Sequence, residues 1–188
     1  MLCCFYHGRT KIRLGDKLNN RILRLFVAIN FNNETKDKLI ALQNALRTRS
    51  KRGNFTLSEN LHITLSFLGD SDLGQATAAK KVIGSLHFDP FAVSIENLGC
   101  FKRDRGDLWW AGVNGNKPLL DLQRRLTDGL ANVGFEPEKR KYSPHVTLAR
   151  QVITDAVPWS IEPFGETIDK IHLMKSDRIN GKSTYTSI

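Results

Sequence analysis

One tetrapeptide pattern occurs twice in this chain, and the duplication limits the folds that the chain can adopt. The segment His62-Ile63-Thr64-Leu65 returns in the second half as His145-Val146-Thr147-Leu148. Both segments alternate polar and apolar residues, a pattern typical of a strand with one buried face. Each is therefore predicted to be a strand whose histidine and threonine share one face while the apolar residues point into the core.

The shared polar face of these two strands suggests a chemistry. Two such strands lying side by side would place two imidazoles and two hydroxyls around one cleft. Phosphodiester hydrolysis without a metal can use this set, because one neutral imidazole accepts a proton from water while a protonated one donates to the leaving oxygen. An ordinary histidine pKa of about 6.5 allows both forms near neutral pH. Threonine hydroxyls can donate to phosphate oxygens as charge develops on them.

The remaining periodicity predicts a mixed fold. Strands are expected at 23–29, 60–68, 91–101, 108–113, 145–150, 167–174 and 183–188, helices at 34–47, 72–86 and 118–133, and basic loops at 50–54 and 139–141. Hairpin-like strand pairs interspersed with helices favour the α+β class with antiparallel sheet. A length of 188 residues suits one domain, or two small lobes that share a core.

Residues 1–20 show no clean periodicity, so we predict a flexible extension there and a single folded domain over residues 21–188. No apolar run approaches the ~20 residues of a membrane-spanning helix, and the first residues lack the pattern of a secretory signal. A cytoplasmic protein without membrane association is therefore expected. The three cysteines Cys3, Cys4 and Cys100 do not form a disulfide or zinc pattern, and reduced thiols fit that compartment.

The net charge of +9 is unevenly distributed. Residues 1–24 carry six Lys or Arg and one Asp, so they contribute more than half of the excess. A basic surface attracts polyanions such as RNA. Surplus charge also serves solubility, and the charge alone does not choose between these interpretations.

The residues around the two tetrapeptides resemble a known family. Phe67-Leu68-Gly69 follows the first tetrapeptide, Pro144 precedes the second and Ala149-Arg150 follows it. Together with Leu25-Phe26-Val27-Ala28-Ile29, they resemble the two-histidine (2H) phosphoesterase superfamily. Within it they are similar to the bacterial RNA 2′,3′-cyclic phosphodiesterases, formerly called 2′-5′ RNA ligases. The resemblance extends from about Leu23 to Ile188.

This resemblance implies a bilobal, pseudo-twofold α+β fold in which two antiparallel sheets, flanked by helices, enclose a central cleft. It implies hydrolysis of RNA 2′,3′-cyclic phosphodiester ends to 2′-phosphomonoesters, with reversible 2′-5′ ligation as a further reaction. No cofactor is expected. The implied partners are RNAs with cyclic phosphate ends, including tRNA halves, and we expect a monomer.

The resemblance also implies residue roles. His62 would be the proton donor and His145 the proton acceptor, and Thr64 and Thr147 would hold the phosphate. Arg150 is a candidate phosphate contact and Tyr142 a candidate base-stacking residue, although a solvated strand end and simple packing remain open for these two. No metal site is predicted, because neither tetrapeptide has a third ligand at suitable spacing. His7, His87 and His172 receive no role.

Two other functions remain open at this point. A 2H phosphodiesterase could act on another small cyclic nucleotide or an oligonucleotide with unchanged chemistry. A non-catalytic RNA-binding protein could use the basic surface alone, in which case binding would survive loss of both histidines and weaken steeply with salt.

Overall fold

The computed structural model describes residues 21–188, so the extension predicted at residues 1–20 lies outside the described residues. The strands are β1 (Leu23–Asn30), β2 (Ser50–Phe55), β3 (His62–Ser71), β4 (Phe91–Phe101), β5 (Asp107–Val113), β6 (His145–Thr154), β7 (Trp159–Ile168), β8 (His172–Ile179) and β9 (Lys182–Ser187). The helices are α1 (Asn33–Arg47), α2 (Leu73–Ser85) and α3 (Lys117–Asn132). In this part of the chain, no helix is long and apolar enough to cross a membrane.

The strands form one antiparallel sheet in the order β7-β4-β5-β6-β3-β1-β8-β9, with β2 paired to β6. The predicted α+β class with antiparallel pairing is confirmed. The expectation of two sheets needs a correction, because hydrogen bonding joins the halves into one sheet. That junction is narrow: β3 and β6 share the single residue pair Ile63–Val146.

The strand order is symmetric about this junction. β3 is followed outward by β1, β8 and β9, and β6 by β5, β4 and β7. Extending the antiparallel register by one residue on each side of Ile63–Val146 brings His62 opposite Thr147 and Thr64 opposite His145. In this register, a local twofold axis relates the two tetrapeptides.

The helices connect the two halves of the sheet. One half contains β3, β1, β8 and β9, and the other contains β6, β5, β4 and β7. α1 follows β1 but contacts β6 and β7, and α3 follows β5 but contacts β3. α3 begins after Asn116, whose side chain accepts a hydrogen bond from the Leu119 amide, and Pro118 occupies its first turn. Its apolar face is buried as predicted, through Leu119, Leu122, Leu126 and Leu130.

Buried side chains from both halves belong to one continuous core. Leu25 and Ile63 come from one side of the junction, and Trp109 and Val146 from the other. Each of these four side chains is at most 1% exposed. Because this core crosses the junction, the narrow strand pairing is not the main connection between the halves.

The segment predicted as a basic loop at residues 50–54 is instead the strand β2. It pairs with β6 in an irregular register, with Lys51 and Arg52 exposed. The apolar alternation that identifies a half-buried strand is absent from this segment, so pairing with the far end of β6 decides its conformation.

The strand predicted at residues 167–174 is also corrected. Residues 169–171 separate β7 from β8, and most of β7 lies before Thr167. β7 contains Pro163 and Gly165, and it can include a proline because it is an edge strand of the sheet. Gly165 fits because a β-carbon at this position would overlap the Val93 carbonyl oxygen, so only glycine allows this close approach to β4.

Candidate active site

A cleft of about 710 Å³ opens beside the junction of β3 and β6. Its walls include the polar residues of both tetrapeptides, His62, Thr64, His145 and Thr147, together with Arg150. Five of the six residues singled out from the sequence therefore lie around one space. Their convergence follows from the antiparallel pairing, because the two tetrapeptides begin neighbouring strands and turn the same face to the cleft.

The His62 ring is held by its own strand. Its Nδ1 lies 2.7 Å from the Asn60 carbonyl oxygen, and its Nε2 lies 3.0 Å from the Thr64 hydroxyl oxygen. A carbonyl oxygen only accepts, so Nδ1 must carry the proton of that bond. The remaining nitrogen, Nε2, is therefore the atom that can gain or lose a proton beside Thr64.

The His145 ring is held in the same way. Its Nδ1 donates to the Ser143 carbonyl oxygen at 2.8 Å, which again leaves Nε2 for proton transfer. His87 makes a similar contact with the Ser85 carbonyl oxygen at 3.0 Å, away from the cleft. The contact thus fixes the tautomer, while the position in the cleft distinguishes His62 and His145 from other histidines.

The two imidazoles have different surroundings. The His62 ring packs against Phe26 at 4.9 Å and Tyr185 at 5.4 Å between ring centroids. Burial lowers the pKa of His62, the hydrogen bond to Asn60 opposes this effect, and the positive charges of His145 and Arg150 lower the pKa further. The neutral form of His62 is therefore favoured while the cleft contains no anion.

His145 lies in a more open place. Its ring meets Phe101 at 6.2 Å and Trp110 at 6.3 Å, both in edge-on geometry. The sheet thus places aromatic side chains around each histidine, and for His62 burial is the largest influence that lowers the pKa. The two imidazoles are consequently chemically distinct despite the local twofold axis.

Positive charge lines the cleft. Arg150 is exposed and takes part in none of the ion pairs formed among residues 21–188. Arg24 and Arg178 also line the cleft, with Asp177 the one acidic residue in its wall. Asp177 pairs with Lys175 at 2.7 Å, so the cleft keeps a positive balance that suits an anionic ligand.

Tyr142 is not part of the cleft wall. Its ring packs against the hydrophobic core, and its hydroxyl donates to the Thr64 carbonyl oxygen at 3.2 Å. Burial raises the pKa of this phenol. The placement favours the packing interpretation, and it makes Tyr142 a bridge from the segment before β6 to the first tetrapeptide.

Several residues of the site could not be identified from the sequence. The carbonyls of Asn60 and Ser143 carry no side-chain signal, and Tyr185 reaches His62 only through the pairing of β8 with β1 and β9. Phe67 had a detectable signal: it follows His62 by the same interval at which Arg150 follows His145. Phe67 lines the cleft and is 63% exposed.

The other histidines of the described residues lie outside the cleft. His87 and His172 do not line it, and His7 lies outside the described residues. Over residues 21–188, no group of three or more His, Cys, Asp or Glu side chains is arranged to hold a metal ion.

An α+β antiparallel sheet with two tautomer-fixed histidines on neighbouring strands, each followed by a threonine on the same face, defines a two-histidine phosphoesterase. The sequence family described as the 2′-5′ RNA ligase superfamily matches residues 35–180. The chain belongs to this superfamily.

Two relatives have the same name. A protein of Methanothermobacter thermautotrophicus named RNA 2′,3′-cyclic phosphodiesterase is 33% identical over 131 residues, which cover 68% of this chain and 71% of the relative. The Escherichia coli protein of the same name is 27% identical over 170 residues, covering 88% of this chain and 93% of its own.

Solved structures share the fold. E. coli LigT in complex with 3′-AMP superimposes with a TM-score of 0.76 at 23% identity, over 89% of this chain and 96% of LigT. A Thermus thermophilus protein gives a TM-score of 0.78 at 21% identity, over 88% of this chain and 95% of its own. These similarities show that the fold is shared. The evidence for the functional groups is the site geometry described above.

Proposed function

We propose that this protein hydrolyses RNA 2′,3′-cyclic phosphodiester ends to 2′-phosphomonoesters by acid–base catalysis between His62 and His145. The observation that carries the proposal is that both imidazoles have Nδ1 bound to a backbone carbonyl, which leaves Nε2 as the proton-transfer atom, on neighbouring strands beside one positively charged cleft. The assigned activity of the relatives supports the same substrate class.

In the proposed reaction, His145 Nε2 accepts a proton from a water molecule as the water oxygen bonds to phosphorus. His62 Nε2, protonated, donates its proton to O3′ as the P–O3′ bond breaks. Attacking and leaving oxygens lie in line at phosphorus. Because the P–O3′ bond is the one that breaks, the phosphate remains on O2′. The family resemblance, rather than the geometry, supplies the choice of O3′ as the leaving oxygen.

The lowered pKa of His62 must be reconciled with its role as donor. A cyclic phosphate carries a negative charge, and an anion beside an imidazole favours the protonated form. Substrate binding is therefore expected to raise the pKa of His62 and to prepare the acid. His145, the more open imidazole, is better placed to meet water from the solvent.

Thr64, Thr147 and Arg150 are proposed to hold the phosphate. Hydroxyls from both strands would donate to its non-bridging oxygens, where negative charge increases in the transition state. The Thr64 hydroxyl already lies 3.0 Å from His62 Nε2, so one hydroxyl touches both the acid and the expected phosphate position. Arg150 would add a charge-assisted contact.

The same arrangement accommodates ligation. If the 5′-hydroxyl of a second RNA replaces water, His145 would deprotonate that hydroxyl and O3′ would still leave, which gives a 2′-5′ linkage. We include this reversible reaction, with tRNA halves as one pair of substrates, in the proposal. The proposal also includes that the protein is a monomer and that it acts in the cytoplasm. Size-exclusion chromatography with light scattering tests the oligomeric state.

We propose that the reaction needs no metal, because the two imidazoles and the basic wall supply the proton transfers and the charge. The decisive assay incubates the protein with a 2′,3′-cyclic nucleotide in EDTA and identifies the product by phosphorus NMR against authentic 2′- and 3′-nucleotides. The 2′-isomer without metal is expected. Activity abolished by EDTA and restored by a divalent ion would contradict the metal-free proposal, and a 3′-product would reverse the assigned orientation.

The histidines are tested as a pair. His62→Ala and His145→Ala should each lower kcat by about 10²- to 10⁴-fold, the usual contribution of a positioned acid or base. The double variant should lose less than the product of the two, since the groups act in one step. His87→Ala serves as the control, because it removes an imidazole with a similar carbonyl contact away from the cleft. Near-normal turnover by either folded single variant would refute the pairing, while RNA binding without any turnover by the wild type would favour the non-catalytic alternative.

A further inference from the structure

A second basic depression adjoins the active-site cleft. It has a volume of about 410 Å³ and is lined by Arg103, Asp104, Arg105, Gly106, Leu108, Arg150 and Gln151. Leu108 and Arg150 line both this depression and the cleft, so the two are contiguous. Three arginines against one aspartate leave it positively charged.

The arginines of this depression are available to a ligand. Arg103 and Arg105 are exposed, like Arg150. Within residues 21–188, none of the three arginines enters an ion pair. A guanidinium group presents a planar set of donors that matches phosphate oxygens. The unpaired cluster is therefore suited to a phosphodiester group.

The turn that carries Arg103 and Arg105 is closed by its own hydrogen bonds. The Gly106 amide donates to the Arg103 carbonyl at 3.1 Å, which makes residues 103–106 a tight turn between β4 and β5. The buried Asp107 carboxylate pairs with Lys102 at 2.7 Å and accepts from the Arg103 amide at 3.4 Å. These contacts hold Lys102 and Arg103, where the turn begins, to Asp107, where it ends.

The turn is also held against β6. Gly106 has a φ of +108°, and a β-carbon there would meet the Gln151 backbone at 2.7 Å. Gln151 itself has a φ of +53°, and its side chain accepts a hydrogen bond from Asn54 of β2 at 2.7 Å. This close approach sets the turn beside the strand that carries His145 and Arg150.

We propose that Arg103 and Arg105, with Arg150 as the shared wall, form a subsite for a second phosphate of the RNA substrate, next to the cyclic phosphate in the cleft. The inference rests on the proposed function and deepens it: the subsite would make the protein prefer RNA ends to cyclic mononucleotides, which have no second phosphate. Arg103 and Arg105 would then determine specificity without touching the reacting atoms.

The test compares a dinucleotide and a mononucleotide, each ending in a 2′,3′-cyclic phosphate. In the variant Arg103→Gln/Arg105→Gln, kcat/KM for the dinucleotide should fall about 10- to 100-fold, the usual effect of removing charge-assisted hydrogen bonds, with the mononucleotide unaffected. For the dinucleotide, the magnitude of the slope of log kcat/KM against log salt should decrease by about 0.7, because one phosphate is no longer neutralised.

Lys80→Gln/Lys81→Gln is the matched control, since it removes two exposed charges from α2, neither of which lines the depression. Equal decreases on both substrates, no decrease on either, or the same decrease in the control would overturn the subsite. A wild-type protein that hydrolyses both substrates equally well would keep the proposed function and overturn the subsite alone.

A binding measurement separates the subsite from catalysis. Fluorescence anisotropy with a labelled dinucleotide that ends in a 2′-phosphate should give weaker binding for Arg103→Gln/Arg105→Gln than for wild type, by a similar factor. This readout requires no turnover. If wild type hydrolyses neither substrate, the proposed function fails, and the anisotropy result still decides whether the depression binds the second phosphate.

Discussion

At the scale of single residues, the two histidines are equal in sequence but unequal in environment. The same type of carbonyl contact fixes each tautomer, while Phe26 and Tyr185 pack against the His62 ring. Burial lowers the pKa of His62, so its role as donor depends on the negative charge of the bound phosphate, which favours the protonated form.

The pH dependence follows from the lowered pKa of His62. If protonated His62 is the donor, kcat/KM, which reports the free protein, should decline as the pH rises through that lowered pKa, below the ordinary value of about 6.5. In the complex the bound phosphate raises the pKa, so the alkaline limb of kcat should lie at higher pH. Steady-state pH profiles measure both limbs, and coincident limbs would contradict the proposed donor.

Histidine NMR titration gives an independent measurement of the same effect. A 2′-nucleotide should raise the pKa of His62. His172 is the internal control, because burial also lowers its pKa but it lies outside the cleft. An equal shift of both histidines would point to a general charge effect rather than to phosphate bound beside His62.

Thr64→Val and Thr147→Val preserve the branched shape of the side chain and remove one phosphate donor each. We expect kcat/KM to fall about 10- to 10³-fold in each variant, in the range of an oxyanion-type contact. Thr167→Val on β7, outside the cleft, is the matched control. Unchanged kinetics with both cleft threonines replaced would reduce these residues to ordinary strand formers.

At the scale of elements, close backbone approach decides where strands can pair. β7 joins the sheet edge despite Pro163, and Gly165 lets its backbone lie against Val93. Tyr142 provides a comparable connection near the site by joining the segment before β6 to β3 through Thr64. These contacts are made between segments far apart in the chain, so each depends on the assembled sheet.

Two glycines should respond oppositely to alanine. Gly165→Ala should lower the free energy of unfolding by about 1–3 kcal/mol, because the added β-carbon overlaps the Val93 carbonyl. Gly84→Ala, in α2 with no atom within 4 Å of the new β-carbon, should raise it by about 0.5–1 kcal/mol. Urea denaturation of both variants measures the free energy of unfolding. An unchanged value for Gly165→Ala would contradict the close approach of β7 to Val93.

At the scale of the whole molecule, a narrow strand junction coexists with a shared core. β3 and β6 contribute one residue pair, while α1 and α3 cross to the opposite half and one apolar cluster spans both. The cleft is therefore formed between halves that are packed together rather than hinged. On this basis we propose a single domain over residues 21–188.

The shared core predicts one cooperative unfolding transition. Differential scanning calorimetry should give a calorimetric enthalpy equal to the van't Hoff enthalpy, as for a two-state domain. The variant Ile63→Ala, at the junction, should lower the transition temperature without splitting the transition. Two resolved transitions, one for each half, would show that the halves unfold separately and would contradict the single-domain prediction.

Local sequence patterns were sufficient to predict much of the fold and of the candidate site. The repeated tetrapeptide placed His62, Thr64, His145 and Thr147 on strand faces, because side-chain direction in a strand depends only on alternation along the chain. The buried leucine face of α3 was also predicted from the sequence, because helical periodicity depends only on residues close together in the chain. The α+β class and the superfamily also followed from the sequence.

Tertiary structure decided what depends on contacts between distant segments. The single sheet, the strands β2 and β7, and the enclosure of His62 by Tyr185 all arise from pairings that no local pattern encodes. The position of the turn at residues 103–106 beside Arg150 likewise depends on a backbone approach to Gln151. The sequence by itself therefore determined which groups can act, while the assembled sheet determined how their charges, burial and neighbours differ.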